Sequence, residues 1–315
     1  MPIDVNTIRP QIYVMLIRAL SLRALVVLLA MLLTPAMSRA NLIDEIVIIK
    51  GSDNAYFDET IATLARHVEQ IVRIRVVQQA NLALEFNNHP DHSLFIAFGP
   101  SAVAAVKQFD QRAPLISAYL THEQYRELAI DDQFAVLLDQ PMQRYLAFCK
   151  LLLNAASIGV ISDHGIDTDS PSDTSLGLVV NQYRVDPANK LLPVLRELLR
   201  ANDALLMLPR QSIYNQDSLK GVLLTSYRKR KPAISYSPAH VRSGALASIY
   251  SSPIDIGRHL ALIVKQRLMQ PGGVAPAYEF ARYYSITSNR RIAQALAIKL
   301  PDESDLRAQL DRIQP

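Results

Sequence analysis

The chain has 315 residues, of which 50% are hydrophobic, and a formal net charge of +4. This composition is typical of a globular protein and is long enough for two medium-sized domains. Its single cysteine, Cys149, excludes an intramolecular disulfide and a cysteine-based zinc cluster.

Residues 1–40 have the pattern of a secretory signal peptide. A basic segment that includes Arg9, Arg18 and Arg23 precedes the apolar run ALVVLLAMLL at 24–33. The small residues Ser38 and Ala40 suit positions −3 and −1 of a cleavage site. The apolar run is shorter than the about 20 residues of a membrane span. We therefore expect a periplasmic protein that begins at residue 41, although retention of the segment as an anchor stays an alternative.

Removal of this segment leaves a nearly neutral chain. It contains four Arg and one Asp, so the net charge falls from +4 to about +1. A near-neutral chain does not call for a nucleic-acid partner, and none is predicted. Few cysteines combined with an export signal are typical of a bacterial periplasmic protein.

Strand-like and helix-like patterns alternate along the first half of the remaining chain. Five short apolar runs are predicted as strands: EIVIIKG (45–51), RIRVVQ (73–78), SLFIAFG (93–99), APLISAYL (113–120) and QFAVLLD (133–139). Helical spacing of apolar residues predicts helices over 57–72 and 100–109, and a long helix from Pro141.

The same alternation starts again after residue 141. Strands are predicted over 157–163, 176–185, 203–209, 232–237, 243–250 and 279–287, and helices over 188–202, 215–230, from Pro253, 290–298 and 304–313. Alternating strands and helices predict parallel sheets with right-handed crossovers. Two such series predict an α/β protein with two Rossmann-like lobes and a first break near residues 139–141.

The loops that follow the predicted strands are rich in hydroxyl, amide and phenol groups. In open α/β sheets, ligands bind beyond the carboxyl ends of the strands. The candidate ligand-binding residues are Ser52, Asn54, Tyr56, Gly99, Ser101 and Tyr119 in the first half, and Ser162, Asp163, Tyr214 and Tyr236 in the second. The alternative is that these residues only cap helices and form turns.

Motifs for catalysis, metals and cofactors are weak by comparison. The sequence has no G-x-S-x-G elbow and no phosphate-binding G-x-x-x-x-G-K-[ST]. His89 and His92 flank a Pro-Asp pair, and the acidic loop at 163–174 lacks the Gly and Glu of a calcium loop. We therefore predict a protein that is not an enzyme, with no cofactor and no metal. A secreted hydrolase stays an alternative, should His122 or His240 meet a serine and an acid in a cleft.

Two stretches near the end of the chain carry a family resemblance. HVRSGALASIYSSPIDIGRHLALIV (240–264) and SITSNRRIAQALAIKLP (285–301) resemble the ABC-transporter substrate-binding family that includes tryptophan- and phenylalanine-type binding proteins. The matching positions are Val241, Gly244 to Ser248, Asp255, Gly257, Ile286, Asn289, Ala293, Leu296, Ile298 and Pro301.

The resemblance implies the type I periplasmic-binding-protein fold, in which a multi-crossing hinge joins the lobes and a ligand binds in the cleft. The N-terminal lobe would contain residues 41–139 and about 253–280, and the C-terminal lobe 140–252 and about 281–315. The resemblance also adds Ser243, Gly244 and Ala245 to the binding residues, on a strand whose backbone would face the cleft.

The implied function is that of a monomeric solute receptor for an ABC importer, with a membrane permease as its partner. A sensory protein that presents its closed form to a membrane signalling receptor is the alternative. The ligand would be a small, amino-acid-like or carboxylate molecule. The carboxylate of the ligand would bind at Ser101, and the walls of the pocket would be formed by Tyr56, Tyr119, Tyr214 and Tyr236.

Overall fold

A computed structural model describes residues 43–86, 93–109, 113–129, 134–163, 176–185, 190–270 and 277–313. The predicted signal peptide, the pair His89 and His92, and most of the acidic loop lie outside the described residues. Residues 43–315 form one compact unit. In the described ranges, none of the helices has the length and hydrophobicity needed to cross a membrane.

The first half of the chain forms five parallel strands with helices between them. The elements are β1 (Glu45–Lys50), α1 (Ala55–Val68), β2 (Arg73–Gln78), a 3-10 turn (Gln79–Asn81), α2 (Leu82–Phe86), β3 (Ser93–Phe98), α3 (Pro100–Phe109), β4 (Leu115–Leu120), α4 (His122–Glu127) and β5 (Phe134–Leu137). All residues of β1, β3 and β5 are buried. Continuous burial is expected of parallel strands that are covered by helices on both faces.

The second half repeats this arrangement and then returns to the first sheet. Its elements are α5 (Met142–Leu153), β6 (Ser157–Ser162), β7 (Val179–Arg184), α6 (Leu191–Ala201), β8 (Ala204–Leu206), α7 (Gln216–Arg228), β9 (Ala233–Ser235), α8 (Pro238–Ser243), β10 (Ala247–Tyr250), α9 (Pro253–Met269), β11 (Tyr278–Phe280), β12 (Ser285–Ser288), α10 (Arg290–Leu296) and α11 (Glu303–Ile313).

The described strands form two sheets with the same internal order. The first sheet is β11-β5-β4-β3-β1-β2 and the second is β12-β10-β9-β8-β6-β7. All strand pairs are parallel except β10 with β12. The predicted α/β architecture of two lobes with parallel sheets is therefore confirmed.

The chain passes between the two sheets at three points: after β5, after β10 and between β11 and β12. Helix α5 follows β5 of the first sheet but packs in the core of the second, where Phe148 is fully buried. Helix α9 follows β10 of the second sheet but packs in the core of the first through Ile256 and Leu260. The residue ranges assigned to each lobe from the sequence stay a prediction.

Two predicted strands are wrong in detail. The run 243–250 does not begin as a strand, because Pro238–Ser243 is helix α8, with Ser237 Oγ accepting the N–H of Ala239 at its start. Gly244 ends this helix with a φ of 123°, and β10 begins only at Ala247. The run 279–287 is not one strand either. It is divided between β11 and β12, because residues 281–284 carry the chain from one sheet to the other.

Gly257 lets helices α1 and α9 approach closely. A Cβ at this position would lie 2.8 Å from the carbonyl oxygen of Thr60 and 2.8 Å from Thr63 Cβ. Both atoms are held by the buried face of α1, so neither helix can give way without disturbing the first core.

Substitution Gly257→Ala is expected to lower the free energy of unfolding by about 1–3 kcal/mol, because overpacking outweighs the better helix propensity of Ala. Gly221→Ala in α7 is the matched control, since its new Cβ would make only an ordinary contact of 3.7 Å with Leu192. This control should gain up to about 1 kcal/mol. Urea unfolding measures both, and equal stabilisation of the two variants would contradict the packing argument.

Candidate ligand-binding cleft

In the first sheet, the neighbouring strands β1 and β3 lead to helices that pack in different cores, α1 in one and α3 in the other. In a sheet of order 2-1-3-4-5 the switch point lies between strands 1 and 3, and ligands bind there beyond the carboxyl ends. Here the two switch points lie between β1 and β3 and between β6 and β8. The predicted site residues at 52–56, 99–101, 162–163 and 214 lie on the loops that follow these four strands or in the first turn of the helix after them.

The loops after β1 and β3 lie against each other. Asn54 begins α1, where its side chain accepts the N–H of Tyr56 at 3.0 Å. Ser101 lies in the first turn of α3 and is exposed, and its Oγ is so near Gly51 that a Cβ there would clash with it. Tyr56 has 55% of its surface exposed. The structure thus groups these residues at one edge of the first sheet, together with Ser52 and Gly99.

Tyr119 has an irregular backbone at the end of β4, and its side chain contacts α1. It has a φ of 61°, and the pairing of β4 with β5 shifts register at this residue. Its hydroxyl is hydrogen-bonded to Thr60 Oγ1, and its ring lies 4.8 Å from that of Phe57 and 5.3 Å from that of Phe98. Burial raises the pKa of Tyr119 to about 12. Its hydroxyl is already used within the protein, so the ring is the part that a ligand would contact.

The predicted residues of the second sheet differ in accessibility. Ser162 is buried and accepts a hydrogen bond from Gln182 Nε2 at 2.8 Å. Asp163 Oδ2 accepts one from Ser212 Oγ at 2.5 Å, which joins the loops after β6 and β8. Tyr214 is only 3% exposed and lies in a hydrophobic core, so it does not form an open aromatic wall.

Ser243, Gly244 and Ala245 are not brought together with the other candidates. Ser243 is at the end of α8, where its Oγ donates to the carbonyl oxygen of Ala239 at 3.0 Å. With Gly244 it lines a groove of about 640 Å³ between α7, α8 and α10, at the amino end of β10. Ala245 is buried in the core. These three residues therefore lie away from the loops at the carboxyl ends of the strands.

An ion pair connects the carboxyl-end loops of the two sheets. Arg210, in the loop after β8, has its Nη1 3.2 Å from Oε2 of Glu123, in the first turn of α4 after β4. Neither residue was among the sequence candidates, which favoured hydroxyl, amide and phenol groups. The signal that could have found Arg210 is its charge, within the strand-end loop PRQSIYN at 209–215.

Asp139 lies beside this ion pair, just after β5. Its Oδ2 accepts the backbone N–H of His122 at 2.7 Å. Burial raises the pKa of Asp139 to about 6, although the nearby charge of Arg210 acts in the opposite direction. Burial also raises the pKa of Tyr236, and the charge of Asp139 adds to that shift. The charges of Arg210 and Glu123 therefore act on Asp139, and the charge of Asp139 acts on the half-buried phenol of Tyr236.

Buried and partly buried hydrogen bonds join the three points at which the chain crosses. Gln140 Nε2 donates to Ser251 Oγ at 2.9 Å, and Ser251 Oγ donates to the carbonyl oxygen of Tyr283 at 2.8 Å. Arg144 Nη1 donates to Gln140 Oε1 at 2.5 Å and to the carbonyl oxygen of Ala281 at 2.9 Å. We call these five residues the hinge network.

The described residues give little support to a hydrolase. His240 Nδ1 lies 2.7 Å from Ser235 Oγ, but both residues are buried and no described carboxylate bonds to this histidine. The ring of His122 packs on Tyr278. Among the residues that the structure describes, no cluster of three or more His, Cys, Asp or Glu could hold a metal ion.

Known structures share this arrangement over nearly their whole length. A substrate-binding protein with adhesive properties from Clostridium difficile, in its ligand-free open form, aligns with a TM-score of 0.62 and 15% identity over 83% of this chain and 97% of that one. The ABC domain from Streptococcus pneumoniae in complex with L-Trp aligns with a TM-score of 0.51 and 19% identity over 84% and 98%.

An arabinose-binding protein from Geobacillus stearothermophilus aligns with a TM-score of 0.51 and 10% identity over 80% of this chain and 98% of that one. The chain has the type I periplasmic-binding-protein fold. The fold implied by the sequence resemblance is thus confirmed. No protein-family model and no curated protein sequence matches the chain.

The raised pKa of Asp139 predicts a pH dependence of stability. Because the folded pKa of about 6 exceeds the unfolded value near 3.9, the folded state binds more protons than the unfolded state between these values. The free energy of unfolding contributed by this residue should therefore rise as the pH falls from about 7.5 to about 5.

Asp139→Asn removes the titration but leaves an oxygen that can accept the N–H of His122. The stability of the wild type relative to this variant should increase on acidification, as measured by urea unfolding at several pH values. Asp217→Asn, at an exposed carboxylate of α7, is the control. A wild-type and Asp139→Asn difference that does not vary with pH would contradict the prediction.

Proposed function

We propose that this chain is a periplasmic solute receptor, which captures a small ligand between its two lobes and presents the closed form to the permease of an ABC importer. The observation that carries the proposal is the Arg210–Glu123 pair at 3.2 Å, because it joins carboxyl-end loops of the two sheets. These are the loops at which an open α/β sheet binds ligands.

The mechanism is a shift between open and closed populations. A ligand that contacts loops of both sheets binds the closed form more tightly, and this difference in affinity drives closure. In this proposal the lobes are residues 41–139 with about 253–280, and 140–252 with about 281–315. The receptor acts as a monomer, and export depends on the sequence of residues 1–40.

The ligand class is a small amino-acid-like or carboxylate molecule. The supporting observation is that phenol rings lie at the cleft: Tyr56 is exposed beside Tyr119, and Tyr236 lies beside Asp139. Aromatic walls with a few polar groups are typical of small-molecule sites. A partner assay then separates an importer from a sensor, since only the first requires a permease.

A thermal-shift screen with amino acids, small carboxylates and sugars tests the proposal. A true ligand at about 100 times its Kd should stabilise the protein by about 2.7 kcal/mol, which is a shift of several degrees in Tm. Small-angle scattering should show a smaller radius of gyration with that ligand. A full panel without any stabilisation would count against a receptor of this ligand class.

Tyr56→Ala provides the site-specific test. Loss of the exposed ring should weaken binding of the screened ligand by about 5-fold, since a ring contact is worth on the order of 1 kcal/mol. Tyr227→Ala is the control, because Tyr227 is also an exposed helical tyrosine, at 45%, but lies in the groove beside α7 and α8. Equal weakening by both variants would argue against the cleft as the binding site.

A further inference from the structure

We propose that Arg210 is the residue of the cleft that recognises an anionic group of the ligand, and that Glu123 forms an ion pair with Arg210 until the ligand displaces it. The inference rests on the proposed receptor function and deepens it. It names the ligand as a small anion, with its anionic group bound to a guanidinium rather than at Ser101.

The backbone of the loop after β8 fixes the position of Arg210. The carbonyl oxygen of Arg210 accepts the N–H groups of Ile213 at 3.1 Å and Tyr214 at 2.8 Å, which closes a turn. Ser212 in the same turn is tied to Asp163. The guanidinium is therefore presented from a rigid loop, as a recognition group should be.

Arg210 has more donors than its protein partners use. Its side chain is only 19% exposed, and within the described residues the one oppositely charged group in direct contact is Glu123, through Nη1. The other N–H groups of this guanidinium donate to no acceptor in the described part of the chain. None of the Arg210 nitrogens is among the fully buried, unpartnered polar atoms of the described residues, so these donors can be reached by a ligand. A planar anion such as a carboxylate would satisfy two of them at once.

Glu123 already holds the place that such a ligand would take. Its carboxylate comes from α4 of the first lobe and meets Arg210 of the second, so it lies between the lobes. A ligand carboxylate can replace it without changing the net charge beside Arg210. The carboxylate of Glu123 is 31% exposed in the present contact, and it can turn to solvent when it is released.

Asp139 explains why an anion, rather than a cation, is favoured at this point. It already accepts the N–H of His122, and it is half-buried near Arg210. Asp139 therefore offers less unused hydrogen-bonding capacity than the guanidinium does. It would also keep Arg210 in place after Glu123 is released, because the Coulombic attraction between the two remains.

Matched pairs of probes and variants test this assignment. The probes are benzoate with benzamide, succinate with succinamide, L-phenylalanine and inorganic phosphate, with D-ribose and L-arabinose as neutral solutes. Calorimetry on the purified protein measures each Kd. The variants are E123Q, R210Q and R210K, with E127Q on the same helix and R200Q on α6 as exposed controls.

At least one anionic probe should bind the wild type more tightly than its neutral partner. E123Q should raise the affinity for that probe by about 3-fold to 10-fold, because the competing carboxylate is gone. R210Q should lower it by about 10-fold to 100-fold, and R210K should fall between. In the double variant E123Q/R210Q the gain from E123Q should disappear, since Glu123 acts only through Arg210.

Three results would overturn the inference. One is that neutral probes bind more tightly than their anionic partners and that R210Q does not change their Kd. This result would leave the receptor function intact. Another is that E123Q binds anions more weakly than the wild type does, which would indicate that the ion pair belongs to the ligand-bound closed form. The third is that no probe binds the wild type or E123Q, which would overturn the receptor proposal as well. Unfolding curves of R210Q and R210K show whether a loss of binding reflects a loss of folding.

Discussion

The structure depends on the hinge network that joins the three points where the chain crosses between sheets. Arg144 is only 7% exposed, and burial lowers the pKa of its guanidinium. A buried guanidinium is tolerated only with partners, and here these include Gln140 Oε1 and the carbonyl oxygen of Ala281. Its Cζ also lies 4.9 Å from the centre of the Tyr284 ring. One side chain thus fastens two of the crossings to each other, and in the proposed closure these crossings would act as the hinge.

The hinge network also bears on which part of the cleft can hold a ligand group rigidly. Asp139 directly precedes Gln140 of the hinge network, so the charged cluster with Arg210 and Glu123 lies near the axis of the proposed closure. Groups near an axis move less than groups at the rim when two bodies rotate. A ligand group bound here would be held before closure, whereas exposed Tyr56 at the start of α1 would contribute later. Such pre-organisation reduces the entropy that binding has to overcome.

The sheets could be predicted well from the sequence because the buried strands are short runs of apolar residues. Strands such as IVII at 46–49 and FIAF at 95–98 are apolar on both faces, which only a helix-covered parallel sheet explains. Details that depend on tertiary contacts were not predictable. Residues 281–284 look like part of a strand, and only the second sheet shows that they are a crossing. The Arg210–Glu123 pair was missed because 87 positions separate the two residues in the chain.

Several residues of the stretch that carried the resemblance, 240–264, have structural roles. Gly244 ends helix α8, and Gly257 permits the close approach of α1 and α9. Asp255 Oδ2 accepts hydrogen bonds from Ser252 N, Ser252 Oγ and Ser285 Oγ, which fastens the second crossing to β12. A motif of this kind specifies how two lobes are joined. In the proposed receptor, the choice of solute would then depend on loops such as 209–215, whose side chains can change without loss of the hinge.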